Sequence, residues 1–445
     1  MTHFNNDQLS VVQAIQAMQA NDRLLVTGRA GSGKTYAIAN SVSGRNALLL
    51  TPTHPARVVL DREIPGTRRK VMTIHSAIGW FQVRDDELNP VDRYIPAKEA
   101  RKRSTVLNPN LFEAADIIIV DECSMVGSFL FGAIEEYAKE YDLPVVYSGD
   151  LCQLPPVGDR EVLPDQNFPT IALNQSVRFP ADSETFKFGE ILRHMIEHDP
   201  EGTIPPFVGQ GTVHVVAGEE WMAGLGGDNA ASHNLLAVTS ENKTLKRLRE
   251  KIRQVGHDRL ATGDLVMSKQ TDELFRNGEQ FTISRIEPET LEVPMPDDNG
   301  GLPNPMTVKG YRVAFLETTR RAFILEDDRK ADKLASTIRS LFEVGDLSRK
   351  NAAKALDWID QINSFELVAL ATIHKSQGRT VDTVYIDTST VAKRPSWLSP
   401  VDHKRLLYTA ITRARHEVIF YQMKDVCTCT ASQATADSQL SLVAA

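Results

Sequence analysis

The segment Gly28-Arg29-Ala30-Gly31-Ser32-Gly33-Lys34-Thr35 has the spacing of a phosphate-holding loop. Its glycines, with Ala30 and Ser32 between them, let backbone N–H groups turn inward around phosphate oxygens. Lys34 supplies a point charge for the β and γ phosphates, and Thr35 offers a hydroxyl to Mg²⁺. The apolar run Leu24, Leu25, Val26 precedes the loop and a helical pattern follows it, which is the setting such a loop requires.

A phosphate cradle also needs a metal anchor and a way to activate water. Asp121-Glu122 follows the apolar run Ile117–Val120, so both carboxylates belong at the carboxyl end of a strand near the loop. Asp121 suits a hydrated Mg²⁺, and Glu122 suits orienting or deprotonating the attacking water. The same acidic pair would also suit a helix N-terminus. Gln153, in Gly149-Asp150-Leu151-Cys152-Gln153-Leu154-Pro155-Pro156-Val157, places a carboxamide where it can donate to a γ-phosphate oxygen; a Pro-terminated surface turn is the plainer reading. Arg178 and Arg413 fall in a later stretch of the chain. An arginine reaching nucleotide from a second unit would stabilise charge in phosphoryl transfer and couple hydrolysis to closure. Taken singly, each arginine also reads as a surface ion pair.

The elements that must position these groups are visible as periodic runs. Leu24–Val26, Ala47–Leu50, Ile117–Val120 and Val145–Tyr147 are short and continuously apolar, as buried parallel strands are. Helical segments alternate with them, which predicts a doubly wound α/β domain with ligands at the carboxyl ends of its strands. A second alternating region runs from about Ile171 to Thr239 and resumes at Leu367, with strands at Leu235–Val238, Val368–Ala371, Val384–Ile386 and Val418–Tyr421. Two such units suggest a nucleotide clamped between them.

Two insertions interrupt the alternation. Trp80–Val83, a polar turn at Asp85–Pro90 and Asp92–Ile95 read as a projecting β-hairpin, with Trp80, Phe81 and Tyr94 as its wedge or its packing. From about Gly263 to Ser364, strands with turn residues precede two helices, which reads as a small β-barrel carrying a helical projection. The residues from about Cys427 lack periodicity and read as a disordered tail.

The 445 residues are 42% hydrophobic and 24% charged, as in ordinary soluble proteins, and carry a formal charge of −8. That charge excludes a uniformly basic surface but not a locally basic groove. No apolar stretch has membrane-spanning length, and the first residues lack a signal peptide, so an intracellular protein is expected. The four cysteines show no zinc-ligand spacing. No Asn/Thr-Lys-x-Asp guanine signature follows the loop, which disfavours a GTPase.

Together the motifs resemble those of superfamily-1 helicases of the RecD-like branch, which move 5′ to 3′ on single strands. The resemblance rests on Gly28–Thr35, Thr51–His54, Thr73–Ser76, Asp121–Met125, Gly149–Val157, Arg178, Val238–Lys243, Ala371–Gly378 and Leu407–Arg415, in that order. It covers nearly the whole chain, and the length and insertions are similar to those of a bacteriophage member of the branch. It implies two RecA-like domains: residues 1–76 with 114–170, and 171–264 with 367–426. It further implies a pin on 77–113 and an SH3-like barrel with a helical tower on 265–366.

The implied activity is an ATP-dependent DNA helicase using Mg²⁺, with an ssDNA translocase that displaces proteins, or an RNA helicase, as alternatives. Lys34, Thr35, Asp121, Glu122, Gln153, Arg178, Gly378 and Arg413 would serve nucleotide binding and hydrolysis, and Gln8 would read the adenine edge. Pro52, Thr53, His54, Thr73, His75, Thr239, Asn242, His374 and Ser376 would line the single-strand track, and Gln377 would link it to the nucleotide. Single-stranded DNA, its junctions with duplex, and single-strand-binding or replication proteins are the implied partners of a monomeric motor in a bacterial cell. Pro55 departs from the usual alanine at its position, and Cys123-Ser124-Met125 departs from the tyrosine–glutamine–aspartate of the opposite-polarity branch.

Overall fold

The computed structural model describes residues 4–64, 69–105, 110–175, 183–225, 234–252, 260–269, 274–293, 307–326, 329–362, 364–423 and 429–430. Arg178 lies outside them.

The amino-terminal lobe is built on strands β1 (Arg23–Gly28), β2 (Ala47–Thr51), β3 (Arg69–Thr73), β6 (Ile117–Val120), β7 (Val145–Gly149) and β8 (Thr170–Leu173), separated in the chain by the hairpin strands β4 (Phe81–Arg84) and β5 (Pro90–Arg93). The six form one parallel sheet in the order β3-β2-β6-β7-β1-β8. Ile117–Val120 is fully buried, since helices cover both faces of the sheet. Pairing of Thr27 with Gly149, Leu50 with Val120 and Thr51 with Thr73 brings the functional strand ends to one edge. The helices are α1 (Asn6–Ala17), α2 (Lys34–Ser41), α3 (His54–Glu63), α4 (Ile74–Ala77), α5 (Ala97–Arg103) and α6 (Ser128–Glu140).

The placement of β8 corrects the expected boundary. The second alternating region is expected to start near Ile171, but nothing local says which sheet residues there join. The ladder of β8 with Leu25–Gly28 puts it in the first sheet, and the crossing to the second lobe follows it.

The second lobe begins with α7 (Glu184–His198), β9 (Val208–Gly209), β10 (Val213–Val216), α8 (Gly218–Leu225), β11 (Leu235–Thr239) and α9 (Asn242–Ile252). An insertion follows, comprising β12 (Leu265–Ser268), β13 (Gln280–Glu292), β14 (Thr307–Phe315), β15 (Arg321–Leu325), α10 (Arg329–Glu343), α11 (Arg349–Asp360) and β16 (Phe365–Leu367). The lobe closes with β17 (Leu370–Thr372), β18 (Val381–Ile386), α12 (Thr388–Val391), α13 (Pro400–Ile411) and β19 (Ala414–Tyr421). Its parallel sheet runs β10-β19-β18-β11-β17. The final described pair, β20 (Cys429–Thr430), ladders with β9; this much of the expected disordered tail is strand.

The insertion is an antiparallel sheet in the order β15-β14-β13-β12-β16, whose edge strands do not pair among the described residues. It is not an independent body. Phe275, Phe281, Phe315 and Phe365 share one core with Trp221, Leu235 and Ala237 of the second lobe. The opposite face of that lobe buries Leu236, Val238, Val384, Leu406 and Tyr408, together with Cys152 and Leu154 from the first lobe. No helix among the described residues is long and apolar enough to cross a membrane.

Candidate active site and nucleic-acid track

A cleft of about 380 Å³ lies between the lobes, and Ala30 through Tyr36, Glu63, Asp121, Glu122, Gly149, Asp150, Gln153, Thr380 and Arg413 line it. The loop enters it through two left-handed glycines, Gly31 (φ 75°) and Gly33 (φ 81°), conformations that side chains disfavour. A Cβ on Gly28 would stand 2.8 Å from the Leu173 carbonyl, so that position is closed to larger residues. Lys34 Nζ donates to the Gly28 and Arg29 carbonyls at 2.8 and 3.0 Å, folding back on its own loop. Burial lowers its pKa, against the opposing influence of Asp150, Glu122 and Asp121. The Ser32 hydroxyl is fully buried and has no protein partner.

Asp121 leaves β6 beside this lysine. Burial first, then the neighbouring Glu122, push its carboxyl up to about 7, with Lys34 pulling it back. Glu122 itself has left-handed backbone (φ 54°, ψ 44°) before the tight turn Cys123–Met125. Such strain in a non-glycine residue costs on the order of 1–3 kcal/mol and concentrates at functional sites. Sequence offered no signal for it. Thr35, Asp121 and Glu122 provide hard oxygen donors on one wall, a set that fits Mg²⁺.

Gln153 is buried, and its Oε1 has no protein partner. The loop carrying it is fastened to the second lobe. Leu154 N–H donates to Thr409 Oγ1 at 3.0 Å, and Gln377 Nε2 donates to the Leu154 carbonyl at 3.1 Å. Asp150 is the centre of this attachment: it accepts from Tyr408 Oη at 2.7 Å, Arg193 Nη1 at 3.1 Å and Cys152 N–H at 3.1 Å. Sequence reading quoted Asp150 within its motif but gave it no role, because Arg193 and Tyr408 are far along the chain. Tyr36, Glu63 and Thr380 were also missed; Tyr36 directly follows the loop and Thr380 comes two residues after Gly378, and that proximity was the available signal.

Arg413 reaches the same cleft from the second lobe, 4% exposed. Its Nε donates to the Thr409 carbonyl at 3.0 Å and its Nη2 to Thr412 Oγ1 at 3.2 Å. Burial lowers its pKa while Glu122 and Asp150 oppose the change. Gln8 sits behind the loop: it completes a capping box with Asn5 and its Nε2 donates to the Ser32 carbonyl at 3.3 Å. Gly378 does not line the cleft. Its left-handed backbone lies against α3, where a Cβ would come within 2.7 Å of Ala56 Cβ.

The track candidates divide by exposure. Thr53, His54, His75 and His374 are partly open and Asn242 is exposed, at the carboxyl ends of β2, β3, β17 and β11. Pro52 is buried. Thr73 caps α4, Thr239 Oγ1 pairs with Thr390 Oγ1 at 3.1 Å, and Ser376 Oγ donates to the Ile373 carbonyl at 2.7 Å; all three are buried and shape their turns from within. Burial, with Arg57 and His75 nearby, lowers the His54 pKa to about 4. Burial also lowers those of His75 and His374.

The hairpin tip meets the helical projection. Leu88, fully buried, packs among Ile338, Ala352, Leu356 and Ile359, and Arg84 Nε bonds Asp357 Oδ1 at 2.9 Å. Trp80 stacks edge-on with His75, and Tyr94 Oη donates to Glu136 at 2.7 Å.

Residues 3–217 match the AAA domain family, and residues 367–421 match the UvrD-like helicase C-terminal domain. The first match takes in the lobe that carries the phosphate loop, the second falls on the closing part of the other lobe, and both lobes line one nucleotide cleft. The chain is similar to the ATP-dependent DNA helicase Pif1 of Psychrobacter sp. (strain PRwf-1), at 26% identity over 84% of this chain and 63% of that protein. The chain thus spans less than two thirds of that relative's length. Among solved structures it shares its fold with Pif1 helicase from Candida albicans (TM-score 0.52, 15% identity, 95% of each chain). It shares it also with Pif1 helicase from Bacteroides in complex with ADP-AlF3 and ssDNA (TM-score 0.51, 17% identity, 95% of this chain and 93% of that one).

Proposed function

We propose that the protein is an ATP-dependent DNA helicase that moves 5′ to 3′ along single-stranded DNA and separates duplex ahead of it. The observation that carries this reading is Arg413: a buried cation of the second lobe lines the cleft formed by Lys34, Asp121 and Glu122 of the first. In such an arrangement the triphosphate completes the contact between lobes, and its hydrolysis removes part of that contact.

The residues divide the work. N–H groups of Gly31–Thr35 cradle the phosphates, and Lys34 exchanges its loop carbonyls for phosphate oxygens. Thr35 and Asp121 would hold Mg²⁺, which when bound neutralises charge on the β and γ oxygens. Glu122 orients the attacking water, Gln153 presents its buried carboxamide to the γ position, and Arg413 meets the charge that develops there. Arg178 is proposed to act beside Arg413, and Gln8 to read the adenine edge. Loss of the γ-phosphate is passed on through the Asp150–Leu154 segment, whose partners Tyr408, Arg193, Thr409 and Gln377 belong to the second lobe.

Single-stranded DNA crosses the aligned strand ends of both lobes past Thr53, His54, His75, Asn242 and His374. Backbone contacts and stacking in such a track are sequence-tolerant and salt-sensitive. The hairpin 81–93, with Trp80 at its base, would meet the duplex. Separation costs about 1.4 kcal/mol per base-pair step on average, while one aromatic–base stack offers about 1–3 kcal/mol, so a braced hairpin offsets much of the local cost and ATP supplies direction.

Duplexes with 5′ or 3′ single-stranded tails, in DNA and RNA, test the proposal alongside ATP turnover. The expected result is ATPase activity raised by single strands and opening of the 5′-tailed DNA duplex alone. Equal opening of the 3′-tailed form would reject the polarity, and turnover indifferent to single strands would reject the motor.

A further inference from the structure

Trp397 has 79% of its surface open, more than any other large hydrophobic side chain among the described residues. It stands on a braced loop. Leu398 N–H donates to the Pro395 carbonyl at 3.1 Å, and Arg394 Nη1 donates to the Leu398 carbonyl at 2.6 Å. Leu398 and Ala392 pack on the second lobe's core, and Ser399 caps α13 through the Asp402 N–H at 3.0 Å. The neighbours are fixed and the indole is held outward.

The location of this loop gives the exposure a meaning. In the second sheet β18, β11 and β17 are adjacent and parallel, so their carboxyl ends share one edge with a spacing of about 4.8 Å per strand. β17 leads to His374, β11 to Asn242, and β18 through α12 to Trp397. The third of these is tied to the second: Thr390 of α12 bonds Thr239 Oγ1 at 3.1 Å and Ser240 N–H at 3.1 Å, and its carbonyl accepts from Ser240 Oγ at 3.0 Å. Lys393 and Arg394, on the same loop as the tryptophan, are also exposed. An open indole on a loop with two exposed cations, reached from a strand of the edge proposed to carry a polynucleotide, has the chemistry of a single-strand platform.

The geometry points to Trp397 as a stacking site for a base of the single strand at the outer margin of the second lobe, with Lys393 and Arg394 receiving its phosphates. The inference rests on the single-strand track proposed above and extends it by one strand beyond Asn242. It predicts no sequence preference, because every base offers a π face.

Fluorescence anisotropy with a labelled oligothymidylate, on the full chain, tests this together with the single-strand concentration giving half-maximal ATPase stimulation. Trp397→Ala is expected to weaken binding about 5- to 150-fold, the range for loss of one stacked base, and to raise the half-stimulating concentration in parallel. Trp397→Phe should retain most of the affinity. Lys393→Ala and Arg394→Ala should each lower the slope of log affinity against log salt by about 0.7, the single-strand value per phosphate. Melting midpoints at the wild-type value would separate a lost contact from lost fold. Wild-type affinity in Trp397→Ala, or equal loss in Trp397→Phe, would overturn the platform and leave this loop to a protein partner. A wild-type chain that neither binds nor responds to single strands would overturn the track as well.

Discussion

Tyr408 Oη donates a 2.7 Å hydrogen bond to Asp150 Oδ2, joining a buried tyrosine of the second lobe to a carboxylate on the wall of the nucleotide cleft. Asp150 also holds Arg193, so one side chain of the first lobe gathers two helices of the second, α13 and α7. Tyr408→Phe removes the donor without changing shape. Hydrogen bonds to charged groups contribute about 1.5–3 kcal/mol, so a loss of that order in the denaturant unfolding free energy is expected. If the bond also carries news of the phosphate between lobes, ATPase stimulation by single strands should shrink while the KM for ATP stays near wild type. A variant that lost stability but kept full stimulation would make the bond structural only.

Arg413 gives a sharper test of the two-lobe cleft. Arg413→Ala should reduce kcat by about 10³-fold or more, the range seen for arginines that meet transition-state charge. Binding of a fluorescent ATP analogue should suffer far less, since Lys34 and the loop remain. Lys34→Ala, by contrast, should abolish turnover with DNA binding largely intact. Both variants are read by steady-state turnover and anisotropy. Near-normal turnover in Arg413→Ala would remove the observation on which the function rests.

The loop, the acidic pair after β6 and Arg413 were legible because their chemistry demands fixed local spacing or a fixed place at a strand end. Other features depend on partners distant in the chain. Asp150 has meaning only with Arg193 and Tyr408 beside it. Arg69–Thr73 begins with two basic residues and escaped notice as a strand, since an edge position tolerates that polarity. The expected start of the second unit near Ile171 was misplaced because nothing local shows that Thr170–Leu173 ladders with the first sheet. Thr73, Thr239 and Ser376 were named for the track from motif membership, but whether a hydroxyl faces a ligand or its own turn is decided by local backbone, and here the turn wins.

The hairpin and the helical pair make a separable prediction. Leu88, with left-handed backbone (φ 64°), is driven into the core of α10 and α11, and Arg84 is held by Asp357 and Asp360. Leu88→Ala leaves a cavity at this joint, a change that costs about 2–5 kcal/mol in well-packed sites. The first lobe's sheet and the nucleotide cleft are elsewhere, so single-strand-stimulated ATPase should hold near wild type while duplex opening falls. Measured on one preparation, parallel loss of both activities would show that the joint supports the whole motor and not strand separation.

The histidines of the track set a pH dependence. His54 has a pKa of about 4 in the folded chain against an ordinary value near 6.5, because burial and then Arg57 and His75 disfavour its charged form. Between those values the unfolded chain binds the proton and the folded chain does not, so stability increases with pH across this window. The contribution of His54 is therefore complete above about pH 6.5 and is lost progressively as pH falls toward 4. His75 and His374 are shifted in the same direction and add to the slope. Urea midpoints from pH 7 to 4 should fall for the wild type and fall less steeply for His54→Gln, which has no proton to gain. At pH 7 these rings are neutral, so they meet a single strand by stacking and hydrogen bonding. His54→Gln should accordingly weaken binding at pH 7 without changing its salt slope; a reduced slope would mean that the ring is charged when DNA is bound.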